Sequence, residues 1–331
     1  MWLFLILLSY FLFAVSNFID KYILGGPLPS PKVYIFYMGL LSSAVLLIIP
    51  VAVLVSLGIL SPIAEISLFL PKLPNLFFIP PFLILLLSLF TGVIFLLAFY
   101  IYYKGVLEFE ISRISPAVGG LIPIFTLILT YLIGFLPLKI SSFQKGEIYF
   151  THYLSFIFLV LGSAILSIHK EKLLTLDSLR ISLFSAFLFS LYFVLTKVVY
   201  FFLPFWPGFI WIRIGVLIGA LAFLSFPEVR RNAFNRKGVF KEKVALPLIL
   251  GKGFGGIGAL LQNGAIYLAP LMFLPLVNAL SGIQYVFLLL ISTLLYYKFP
   301  KILKEEISKK VFLQKIFAIF LIGIGLAFLA L

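Results

Sequence analysis

Five ionisable side chains, Asp20, Lys21, Lys197, Arg213 and Lys252, interrupt stretches that are otherwise apolar. A charge in hydrocarbon costs from about 2.5 to over 10 kcal/mol, depending on the reference state, so each asks for a reason. Asp20 is the one acidic residue away from a loop or a helix end, and the other four are cations. A water-filled chamber lined by cations suits a substrate bearing a carboxylate or a phosphate. Lys21 and Lys197 fall late in their segments, where an ammonium either snorkels to the headgroups or lines a shared cavity. Arg213 and Lys252 fall about 8–10 Å below their predicted helix starts, and the same two readings apply. Adjacent residues on a helix point about 100° apart, so Asp20 is not expected to pair with Lys21.

Uncharged polar residues form a second set: Asn17, Tyr37, Tyr103, Gln262, Asn263, Asn278, Gln284 and Tyr285. On membrane helices such groups either hydrogen-bond a neighbouring helix, at about 0.6–2 kcal/mol each, or face a cavity. The candidate substrate-binding residues are therefore Asn17, Lys21, Tyr37, Tyr103, Lys197, Arg213, Lys252, Gln262, Asn263 and Asn278. Asn278 and Gln284 lie six positions apart on one predicted helix, about 240° of rotation, so one of them is expected to turn away from the chamber. No midplane carboxylate is expected, which favours exchange or facilitated diffusion at least as much as proton coupling.

Other chemistries lack their residues. Cysteine is absent, and His152 and His169, the two histidines, sit at helix edges, so neither thiolate nor imidazole metal sites are expected. There is no Ser/His/Asp set and no Walker loop, and the chain is not expected to be an enzyme or to carry a cofactor. Gly251-Lys-Gly253-Phe-Gly255-Gly256 fits G-x-G-x-x-G, but that fingerprint belongs after a strand, and this copy falls inside an apolar helix. Gly251, Gly255 and Ala259, four apart on one face, fit close helix packing.

The elements that must position these residues are membrane helices. The 331 residues are 63% apolar and 11% charged, with a mean hydropathy of +1.23. About 20 apolar residues cover a hydrocarbon core of roughly 30 Å, and runs without alternation are helices, not barrel strands. Ten spans are predicted, at about 2–24, 33–57, 80–103, 114–136, 152–168, 179–202, 208–226, 245–268, 271–297 and 311–331. The fold class is all-α integral membrane. The first run lacks a basic leader and a small-residue cleavage site, so it is expected to stay as a span. Net charge is +14, and loops assigned to alternate faces put 18 Lys and Arg on one side against three on the other. The positive-inside rule makes the rich side cytoplasmic and places both termini outside. The excess thus serves topology, and no nucleic-acid partner is expected.

The ten spans form two sets of five. A shift of 176 residues superposes Lys21 on Lys197, Pro31 on Pro207 and Gly39 on Gly215. A shift of 159 superposes Gly92 on Gly251, Gly105 on Gly264 and Pro116 on Pro275, and Gly162-Ser-Ala164 pairs with Gly325-Leu-Ala327. The first repeat covers residues 1–169, a charged linker 170–178, and the second repeat 179–331. Five is odd, so the second set enters the membrane upside down. Two inverted-topology five-helix repeats provide two nearly equivalent global states, with a site between them near the midplane.

Ser16-Asn17-Phe-Ile-Asp-Lys21, Tyr102-Tyr103-Lys-Gly-Val-Leu107 and Ile111-Ser-Arg-Ile-Ser-Pro116-Ala-Val, leading to Ile122-Pro123-Ile-Phe, resemble the EamA-type branch of the drug/metabolite transporter superfamily, and Gln262-Asn263-Gly-Ala-Ile-Tyr267 and Pro275-Leu-Val-Asn278-Ala extend the resemblance into the second half. The resemblance implies two five-helix repeats and passage of small metabolites or xenobiotics without ATP hydrolysis. Such proteins often carry a Glu just after helices 4 and 9; here those segments read Gly134-Phe-Leu-Pro137-Leu-Lys139 and Tyr297-Lys-Phe-Pro300.

The expected function is secondary transport of a small polar or anionic metabolite, or a drug-like compound, by alternating access in the cell membrane. The alternatives are an intramembrane or lipid-modifying enzyme and a channel. The expected partners are the substrate, membrane lipid and a coupling ion or counter-substrate, with the chain as monomer or homodimer.

Overall fold

The computed structural model describes residues 1–24, 30–47, 78–109, 111–134, 149–167, 176–234, 242–296 and 309–330. No strand occurs among them; the described residues are all-α. In order, the helices are α1 (Trp2–Leu24), α2 (Pro31–Ser42, ending in a 3-10 turn over Ser43–Leu47), α3 (Phe82–Phe109), α4 (Ile111–Gly134), α5 (Phe150–Ser167), α6 (Leu176–Phe202), α7 (Phe205–Ala222), α8 (Pro227–Phe234), α9 (Glu242–Leu268), α10 (Leu274–Ala279), α11 (Gly282–Tyr296) and α12 (Lys309–Ala330). Among the described residues, six stretches are long and apolar enough to cross a membrane: Trp2–Asp20, Phe82–Phe109, Leu176–Phe202, Phe205–Ser225, Ala245–Leu268 and Leu271–Leu288. Four shorter apolar helices accompany them, at Pro31–Leu47, Ala117–Ile133, Phe150–Gly162 and Ile316–Leu329.

Proline and its neighbours set several of the boundaries. Pro31 starts α2, where its missing N–H leaves no bond unmade, and extended Ser30 precedes it. Ala269-Pro270 closes α9, and Pro275 lies in the first turn of α10. The predicted second span to about residue 57 runs past the described residues after Leu47. The linker 170–178 likewise falls outside them except for its last three positions. The predicted ninth span, 271–297, is not one helix: a 3-10 turn at Leu271–Phe273, the short α10, a turn at Leu280-Ser281 and α11 succeed one another.

The exterior is apolar as well as the core. Phe4, Phe82, Leu83, Tyr131 and Phe320 are exposed, whereas Ser9, Ser178, Ser182, Ser185, Ser190 and Thr196 are fully buried. An apolar exterior around an apolar core that also holds small hydroxyls is the arrangement lipid selects, because hydroxyls can bond across helices where hydrocarbon offers nothing. Ser9 donates to Gly258 O at 2.8 Å, Ser185 to Ala98 O at 3.4 Å and Ser155 to Gly325 O at 2.7 Å.

Six helix pairs carry most of the packing: α1 on α9, α5 on α12, α4 on α6, α3 on α6, α3 on α7 and α1 on α11. The α3–α7 crossing is the tightest. A methyl group on Gly92 would collide with the Ile212 carbonyl, and one on Gly215 with the Leu89 carbonyl, so backbone meets backbone there. Between α5 and α12, a methyl on Gly162 would stand 2.7 Å from Ile322, and one on Gly325 2.8 Å from Leu159.

Candidate functional site

A cavity of about 190 Å³ lies inside the bundle. Its wall takes residues from α1, α2, α3 and α4, and from α6, α7, α9, α10, the 280–281 turn and α11. Helices α5 and α12, which pack on one another, contribute none. Nine aromatic side chains line it: Tyr10 and Phe13 from α1, Phe95, Phe99, Tyr102 and Tyr103 from α3, and Phe189, Tyr192 and Phe193 from α6. The rings brace one another, Phe95 at 4.9 Å from Tyr192 and Phe99 at 4.9 Å from Phe189 between centroids. The first pair is tilted and the second edge-to-face, and such ring contacts hold the chamber wall in shape.

Three charged side chains line it: Asp20, Lys252 and Arg213. Lys252 Nζ lies 2.9 Å from Asp20 Oδ2, with both side chains largely buried, and the Tyr103 hydroxyl donates to the same oxygen at 3.1 Å. Lys252 Nζ also lies 4.6 Å from the centre of the Tyr34 ring. The pair forms because small residues let α1 and α9 approach: a methyl on Gly251 would stand 2.9 Å from Ile19, and one on Gly255 3.0 Å from the Ser16 hydroxyl. Arg213 is 2% exposed and sits between two rings, its Cζ 4.8 Å from the Phe209 centroid and 5.4 Å from Phe95. Among the described residues its Nε and Nη2 find no hydrogen-bond partner.

The candidate residues divide. Asn17, Tyr103, Arg213, Lys252, Gln262 and Asn278 all reach the cavity. Asn278 also donates to Thr126 Oγ1 at 2.9 Å, while its Oδ1 accepts nothing. Three candidates lie off the wall. Lys197 donates to Ile266 O and Tyr267 O, each at 3.0 Å, and so satisfies carbonyls that the end of α9 leaves open. Asn263 accepts from the Tyr200 hydroxyl at 2.9 Å and donates to Ala259 O at 2.8 Å, a helix-to-helix tie between α6 and α9. Tyr37 donates to Asn232 Oδ1 at 3.4 Å, joining α2 to α8. Lys21 lies on α1, and its side chain falls outside the described residues, as does that of Tyr285.

Two expectations need correction. Asn278 and Gln284 both line the cavity. The Leu280-Ser281 turn between α10 and α11 breaks the helix, so a continuous 100° step does not relate them. The chamber also contains a carboxylate, Asp20, paired with Lys252 of another helix, so its wall is not lined by cations alone. The position of Asp20 as the one acid inside an apolar run was the available signal. Lys252 is thereby half of an ion pair, and not a free cation.

No protein-family model and no curated protein matches the chain. Matches among solved structures extend to 22 chains. One, titled "Crystal structure of protein", is similar over 98% of this chain and 94% of its own length, with a TM-score of 0.62 at 13% identity. At that identity the likeness concerns the fold alone.

Proposed function

We propose that this chain is a secondary transporter of the cell membrane, built as ten spans in two inverted five-helix repeats, that carries a small organic solute by alternating access. The observation that carries this reading is the cavity, walled by elements from both halves and holding buried polar groups that lipid would not tolerate outside a chamber. The six long apolar stretches and the four shorter apolar helices, taken in chain order, support the ten-span reading, with the four shorter ones falling below spanning length among the described residues.

Exchange of equivalent contacts supports the repeat. The shift of 176 takes Leu5 to Ile181 and the shift of 159 takes Gly105 to Gly264; Gly105 packs on Ile181, and Gly264 on Leu5. Gly162 meets Ile322 and Ala318, whereas Gly325 meets Leu159 and Ser155, and one offset of 163 converts each contact into the other. Reciprocal contacts of this kind are what a two-fold relation between the halves requires. They leave α5 and α12 as a fixed pair against which the eight cavity-lining spans would move. The segments around Asn17, Tyr103 and Gln262 that resemble EamA-type carriers all contribute to the cavity wall.

Counterflow tests the reading. A thermal-shift screen of small organic acids, amines and neutral compounds on the purified protein identifies a ligand through mass-action stabilisation. Proteoliposomes preloaded with that ligand should then accumulate the labelled compound transiently against its gradient. A carrier exchanges this way; equilibration without overshoot, at a rate indifferent to internal ligand, would indicate a channel, and chemical conversion an enzyme.

A further inference from the structure

We infer that the substrate is an organic monoanion, a single carboxylate on a compact and largely apolar ring-sized body, and that Arg213 is the group that anchors it. This deepens the transport reading and rests on it. Asp20 and Lys252 lie in contact, and Tyr103 adds a hydrogen bond to the same carboxylate oxygen. Their charges cancel within the wall. Among the described residues that leaves Arg213 as the uncompensated charge lining the cavity.

A guanidinium presents a fork of donors suited to a carboxylate, and two of the donor nitrogens of Arg213 are buried without a partner. Phe95 and Phe209 offer their ring faces to the cation, which offsets part of its desolvation but satisfies no N–H. A buried charge in a low-dielectric chamber is compensated by one opposite charge; a dianion would leave a surplus, and a cation would double the repulsion. The wall then states the rest of the molecule. Nine aromatic side chains line the chamber beside a few amides, which favours flat apolar surface. Size agrees: an engineered cavity of about 150 Å³ takes a benzene ring, so about 190 Å³ takes one ring and a short acidic arm.

The test uses four probes with one body: phenylacetate, phenylacetamide, benzylamine and phenyl phosphate, titrated calorimetrically into the full-length protein in detergent. Phenylacetate should bind at least about tenfold more tightly than the amide, the scale of a charge-assisted hydrogen bond, and more tightly than the amine or the phosphate. Arg213→Gln should erase the acid-over-amide ratio. Arg213→Lys, which keeps the charge without the fork, should reduce it, and decides the matter if the Gln variant does not fold. An unchanged ratio in either folded variant, preference for any of the other three probes, or no binding by all four overturns the inference. Counterflow of labelled phenylacetate, measured over protein-free liposomes, separates the two claims. Arg213-dependent binding without counterflow sinks the carrier reading and leaves the site; counterflow indifferent to the acid group sinks the site and leaves the carrier.

Discussion

Asp20 and Lys252 form the best-defined polar contact in the chamber, and its energetics follow from burial. Removing one partner leaves a lone charge in a low-dielectric wall, which costs about 3–5 kcal/mol, whereas removing both exposes neither. Asp20→Asn and Lys252→Met should therefore each lower the denaturation midpoint in detergent sharply. The double variant should recover most of the loss, and a double-mutant cycle in which the two losses simply add would refute the coupling. Asn263 and Lys197 show the complementary lesson. Their polar groups are consumed by Tyr200 and by the last carbonyls of α9, so a polar residue deep in an apolar helix is as often a strut as a ligand.

Helix spacing is set by glycine, and the same residue has opposite consequences at two sites. Gly215 lies against the Leu89 carbonyl where α7 crosses α3, so Gly215→Ala must push backbones apart and should destabilise by about 1–3 kcal/mol. Gly253, about three turns into α9, has open space around it, and Gly253→Ala should be neutral or stabilising by up to about 1 kcal/mol through helix propensity. Thermal melts of the two variants beside wild type check the pair; equal effects would mean that α3 and α7 do not touch through Gly215. The broken α10–α11 element belongs to the same scale. By turning at Leu280-Ser281 it brings both Asn278 and Gln284 to one wall, which a straight helix forbids.

Alternating access predicts that a single position in the wall is reached from one side in one state and from the other side in the next. Ser42 on α2 and Ser281 between α10 and α11 both line the cavity, and the chain has no cysteine of its own. Ser42→Cys and Ser281→Cys should each label with a membrane-impermeant maleimide, and a bound substrate should change the two rates by several-fold, in opposite directions if the chamber switches faces. Labelling of both positions from both sides at once would describe a continuous pore.

The class of the molecule was legible in its composition, because hydrocarbon demands long runs of apolar helix and tolerates few charges. The intramembrane polar residues stood out for the same reason, and six of the ten proposed as ligands do line the chamber. Partner choice was not legible. Asp20 met Lys252 and Asn263 met Tyr200 across helices far apart in the chain, and which face of a uniformly apolar helix turns inward leaves almost no periodic trace when lipid and core are equally apolar. Those pairings arise only when the helices are packed, and they alone separate the unpaired guanidinium of Arg213 from its neutralised neighbours.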